Sequence, residues 1–223
     1  MRKLINEGNN FSYLTIALVL MLFTNALASQ YANIFGNKLI MLSTVAALVI
    51  CTYSMRTNEQ RFIRSRLGIV VTIVAIAMAE HFLELSGLYF AHLFFLFGFF
   101  IWIVWLTAQQ VLFTGTIDSN KIIGAICIYL LLGMLWAILY MLILIFAPDS
   151  FSGLAQNEGY DNFPAMLYFS YITLTTLGYG DITPTLPISQ FVVYMEAISG
   201  QFYTAIVVAS LIGAHFSDKR HEP

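Results

Sequence analysis

Residues 173–181 read Thr173-Leu174-Thr175-Thr176-Leu177-Gly178-Tyr179-Gly180-Asp181. Gly178 and Gly180 let the backbone adopt φ > 0 at alternate positions. A chain that alternates its handedness in this way turns successive carbonyls to one side. The carbonyls of Thr176, Leu177, Gly178 and Tyr179 then stack along an axis. The Thr176 hydroxyl adds one more oxygen at the inner end of the column. Such a column can replace the hydration shell of a bare cation.

The flanking sequence fits a membrane setting. Phe163 to Thr176 is apolar but too short to span, so it reads as a re-entrant helix. Phe163-Pro164 suits its first turn. Its C-terminal end would favour a cation nearby. Beyond the quoted stretch, Ile188 to Phe216 is long enough to cross a bilayer and carries one acid, Glu196.

Composition agrees. The 223 residues are 59% hydrophobic and 10% charged, with a mean hydropathy of +0.80. A soluble domain is about 25% charged, and a chain this short cannot hide so much apolar surface in water. Candidate spans run from Phe11 to Ala28, Leu39 to Met55, Leu67 toward Leu85, Leu88 to Leu106, Ile122 to Pro148 and Ile188 to Phe216. The expected fold is an all-α integral membrane protein with six transmembrane helices and a re-entrant segment.

With six spans, nine of the ten Lys and Arg residues fall on the side of both termini, and only Lys38 falls on the other. That bias predicts cytoplasmic termini. Arg61, Arg64 and Arg66 precede the third span and read as topology anchors. The loop from Asp149 to Asp161 is then external. Ala26-Leu27-Ala28 imitates a signal cleavage site, but the polar stretch Asn6 to Asn10 interrupts the pattern. A net charge of −2 offers no basic surface for nucleic acid. Cys51 and Cys127 lie in apolar runs, which is neither a disulfide framework nor a metal spacing.

The run Thr176-Leu177-Gly178-Tyr179-Gly180-Asp181, placed between a half-length helix and a final span, resembles the selectivity filter of the potassium channel superfamily. Leu177 stands where the family more often has Val or Ile. The resemblance implies a potassium-selective, non-enzymatic channel with K+ held by the carbonyls of Thr176, Leu177, Gly178 and Tyr179. It implies K+ as transported ion, no cofactor, a lipid bilayer as surroundings, and a homotetramer in which each chain supplies a quarter of the filter. Thr175, Asp181, Tyr168, Phe169 and Thr173 would support the filter. Tyr168 is expected to donate to Asp181. Phe169 has no donor, so Thr173 becomes the candidate partner of the Tyr179 hydroxyl.

In the inner helix, Gly200 lies where the family often has a hinge glycine. It also suits a close helix approach. Helical spacing from it places Gln201, Thr204, Val208 and Ile212 toward the cavity and gate. Glu196 reads first as a buried, hydrogen-bonded acid that stands in for the acid absent at Ile172. A proton-sensitive gate is the other reading.

The expected domains are a peripheral unit over 1–110 and a pore unit over 111–223. The pore unit comprises an outer helix at 121–147, a pore helix at 163–176, a filter at 176–181 and an inner helix at 188–216. The fourth span has no Lys or Arg, so little voltage dependence is expected. Glu80, His81, Glu84 and His92 form a candidate pH or metal-sensing group at the outer end of the third and fourth spans. Two alternatives remain: a poorly selective cation channel, or a membrane-embedded metal-dependent hydrolase using His81, Glu84 and His92. The short loops and minimal tail resemble small prokaryotic channels of the inner membrane.

Overall fold

The computed structural model describes residues 10–30, 45–46, 48–52, 60–83, 86–113, 119–154, 162–210 and 213. Helix α1 covers Asn10–Gln30, α2 Gln60–Leu83, α3 Ser86–Leu112 and α4 Ser119–Phe146. A short helix, α5, covers Phe163–Leu174 and α6 covers Pro187–Phe202. The chain continues from α6 as a π-helical segment over Tyr203–Val208.

Among the described residues, four helical stretches are long and apolar enough to cross a membrane: Asn10–Leu27, Gly87–Leu112, Ser119–Phe146 and Pro187–Val208. In α2 the apolar part is shorter, Arg66–Ala79. Most of the expected second span lies outside the described residues, and residues 48–52 of it are helical.

Helix α4 is the centre of the fold. It packs against α3, α1 and α5, and Leu131, Met134, Ala137, Ile138 and Tyr140 on it are completely buried. Its small residues admit the neighbours. A Cβ on Gly124 would lie 2.5 Å from Val111 and 3.0 Å from Phe11, and one on Gly133 would lie 2.3 Å from the Tyr171 ring. The start of α1 is tied to the start of α4 by polar groups. Asn120 Nδ2 donates to Asn10 Oδ1 at 2.7 Å, and Thr15 Oγ1 meets Cys127 Sγ at 2.9 Å.

Helix α2 begins at Gln60, so Arg61, Arg64 and Arg66 are helical, with Arg61 and Arg64 ahead of its apolar part, Arg66–Ala79. Arg66 is buried, with its guanidinium carbon 5.7 Å from the centre of the Trp102 ring on α3. A cation over an indole face is attracted by the ring quadrupole, so Arg66 joins α2 to α3. Phe94, Phe95 and Trp105 of α3 are exposed, whereas Phe99 and Phe100 enter the core.

Where α4 ends, Pro148 starts a 3₁₀ turn, Pro148–Ser150. Strand β1, Phe151–Ser152, follows and pairs antiparallel with β2, Thr183–Pro184, in the register Phe151 to Pro184 and Ser152 to Thr183. Ser189, in the first turn of α6, is fully buried and lies 2.8 Å from the Ser150 carbonyl. These contacts bring the end of α4 and the start of α6 to the same end of the molecule.

Candidate functional site

The site grows out of the C-terminus of α5. A helix leaves its last carbonyls without intrahelical partners, and here the following strand uses them. The Leu177 and Gly178 amides both donate to the Ile172 carbonyl, at 2.8 and 3.1 Å. The Thr176 amide donates to Thr173 at 2.9 Å, and the Thr175 amide to Tyr171 at 3.1 Å. The amides of residues 175–178 therefore face the helix end. Among the described residues, nothing donates to the carbonyls of Thr176, Leu177, Gly178 or Tyr179.

The backbone alternates as the glycines require. Gly178 has φ 54° and Gly180 φ 79°. A third left-handed residue was not signalled by the sequence: Thr176 has φ 59°. A β-branched residue in this region is uncommon and costs about 1–3 kcal/mol. The amide bond to Thr173 helps hold it there. Residues 175–181 are all exposed in the single chain.

Asp181 follows this segment and is held from two directions. Tyr168 on α5 donates to Asp181 Oδ2 at 2.8 Å. Giving up the phenol proton would break that bond, which holds the Tyr168 hydroxyl above its ordinary range. A Cβ on Gly153, beside β1, would lie 1.9 Å from the Asp181 carbonyl oxygen. Only a glycine admits that approach, and its φ is 85°. Tyr168→Phe is expected to lower ion flux severalfold per assembled protein, by freeing Asp181 while leaving the fold intact. Flux measured against the amount of assembled protein checks this.

Phe169 and Thr173 are both buried behind the segment. Phe169 is buried in an aromatic cluster, with ring centres 5.3 Å from Tyr140 and 5.6 Å from Phe151. There it joins α5 to α4 and β1. Thr173 is buried while Tyr179 is 67% exposed, and no hydrogen bond joins them within the chain.

Three further tyrosines brace the site, and the sequence reading missed them. Tyr129 on α4 donates to the Leu174 carbonyl at 3.1 Å. Tyr171 on α5 donates to Leu130 at 2.6 Å, and Tyr203 to Ala125 at 2.7 Å. A phenol in an apolar helix needs a partner for its hydroxyl. That requirement is the signal that could have found them.

Behind the segment, Glu196 is completely buried and accepts from the Tyr140 hydroxyl. Gly200 is packed against the end of α5: a Cβ there would lie 2.1 Å from the Leu174 carbonyl oxygen. Gln201 and Thr204 are exposed. Val208 instead packs on the chain's own core. The π-helical turns from Tyr203 take more residues per turn, so the 3.6-residue spacing from Gly200 does not reach it. Ile212 lies outside the described residues. So do Glu84 and the side chains of Glu80 and His81. His92 is buried in α3.

A family model described as an ion channel matches residues 123–216. No curated protein and no solved structure matches the chain. The matched stretch holds most of α4, all of α5 and α6, and the segment between them. Residues 123–216 are thus similar to an ion-channel domain, a likeness that supports passive ion conduction, in a chain whose described residues include four helical stretches apolar and long enough to cross a membrane.

Proposed function

We propose that four copies of this chain form a potassium-selective channel, with Thr176, Leu177, Gly178, Tyr179 and Gly180 of each as one quarter of the filter. The unpaired carbonyls of Thr176 to Tyr179 carry this reading. Once neighbouring copies enclose the segment its carbonyls need partners, and a dehydrated cation on the shared axis supplies one to each. The fourfold arrangement is supported by the face that α6 leaves open. Ile188, Phe191, Tyr194, Met195, Ile198 and Phe202 are all exposed in the single chain, and neighbouring copies would cover them.

Residues 111–223 act as the pore unit and residues 1–110 as its surround, with K+ as cargo and no cofactor. Both termini are cytoplasmic, as the nine-to-one distribution of bases indicates. Asp149 and Asp181 then lie toward the outer side and concentrate cations there at low salt.

A recording from liposomes under opposed potassium and sodium gradients tests the reading. The reversal potential is expected near the potassium equilibrium value. A value near the sodium potential would overturn the filter assignment. The nearer rival, a weakly selective cation pore, gives an intermediate value. In the same recording, conductance is expected to vary little with voltage, because α3 carries no Lys or Arg.

A further inference from the structure

Ser170 on α5 sits between two oxygens. Its Oγ is 2.7 Å from the Gly133 carbonyl of α4 and 2.5 Å from Oε1 of Glu196 on α6. A hydroxyl carries one proton, and a backbone carbonyl can only accept. The Ser170 proton therefore belongs on the line to Gly133. Ser170 donating to a carboxylate instead would leave two lone-pair oxygens facing each other at 2.7 Å. The proton between Ser170 and Glu196 must then come from Glu196. The other carboxyl oxygen, Oε2, already accepts from Tyr140.

The surroundings point the same way. Tyr140, Ser170 and Glu196 are each fully buried. The ionisable groups around the carboxyl are the phenols of Tyr140 and, farther off, Tyr129 and Tyr171. Among the described residues, no Lys, Arg or His faces it. A buried carboxylate without a cation is costly.

We propose that Glu196 is a neutral carboxylic acid that donates its own proton to Ser170. It thereby completes a directed chain of hydrogen bonds from Tyr140 through Glu196 and Ser170 to the Gly133 carbonyl. One chain of four groups fastens α4, α5 and α6 together. Ser170 lies one half-turn before Ile172, whose carbonyl holds the Leu177 and Gly178 amides. Glu196 lies one turn before Gly200, which touches the end of α5. Glu196 is thus a positioning residue for the filter, a role that rests on the function proposed above. Its protonation does not.

Two measurements on the full chain in liposomes test this. Infrared spectra at neutral pH are expected to show a protonated carboxyl C=O band that disappears in Glu196→Gln. Absence of that band in the wild type would overturn the proposal. Glu196→Gln places an amide N–H where the carboxyl has its O–H, so assembly and potassium flux are expected to match wild type. Glu196→Ala leaves the Tyr140 and Ser170 hydroxyls short of partners, with an expected loss of about tenfold in flux or assembled yield. If Gln behaves like Ala, the carboxyl was charged and the proposal fails. If Ala behaves like wild type, the positioning role fails. A wild-type protein that does not select potassium would remove the filter reading and leave the infrared result standing.

Discussion

Gly178→Ala is expected to abolish conduction while the protein still assembles. A Cβ on Gly178 meets no heavy atom of the chain within 4 Å, so the side chain itself has room. The cost is conformational. Gly178 has φ 54°, and an L-residue held in the left-handed region loses roughly 1–2 kcal/mol. In a fourfold filter the penalty falls on every chain, about 4–8 kcal/mol in all. The peptide relieves it by rotating, and that turns a carbonyl out of the column. Potassium-driven flux in liposomes, set beside the size of the assembled protein, checks the expectation. Wild-type flux would show that the site does not depend on handedness at this position.

Gly200→Ala is the second large effect, and its sign runs against helix propensity. Alanine in a helix interior is favoured over glycine by about 1 kcal/mol. If Gly200 served only as a flexible hinge, the variant would be as stable as wild type or more so. The contact with Leu174 decides otherwise. A Cβ 2.1 Å from a backbone carbonyl oxygen cannot be accommodated by a rotamer change. The end of α5 must shift, and overpacking of this kind costs about 1–3 kcal/mol per chain. The thermal midpoint of the assembled protein is expected to fall, and flux with it. An unchanged or raised midpoint would sink the close-approach reading.

These two glycines mark how far the sequence could be read. The alternation at Gly178 and Gly180 was legible because few residues tolerate φ > 0. The bond from Tyr168 to Asp181 was legible from the resemblance to the filter of the potassium channel superfamily, which implies a donor at that place on α5. Long apolar runs likewise marked the four helices able to cross a membrane. Thr176 was not legible as left-handed, since a β-branched residue argues against it. Hydrogen bonding of residues 176–178 to the end of α5 overrides that preference. Arg66 looked interfacial because charge dominates a one-dimensional reading, and the Trp102 ring that covers it lies on another helix. The π-helical segment over Tyr203–Val208 was not legible either, since it leaves no periodic trace. The tyrosine braces were hidden in plain composition, where Tyr129, Tyr171 and Tyr203 count simply as apolar.

The pairing of β1 with β2 has a further consequence for the chain between them. Phe151 and Ser152 are joined to Pro184 and Thr183, and the Thr185 amide donates to Ser150 at 2.9 Å. The excursion that contains α5 and the column of carbonyls is therefore tied off at its base, like a loop closed by a knot of cord. The entropy of spanning a fixed gap grows only with the logarithm of chain length, about 0.6 kcal/mol per doubling. Extra residues inserted between 155 and 161 would lengthen the loop without pulling on its tied ends. An epitope or affinity handle inserted there is expected to leave the pairing of β1 with β2 undisturbed.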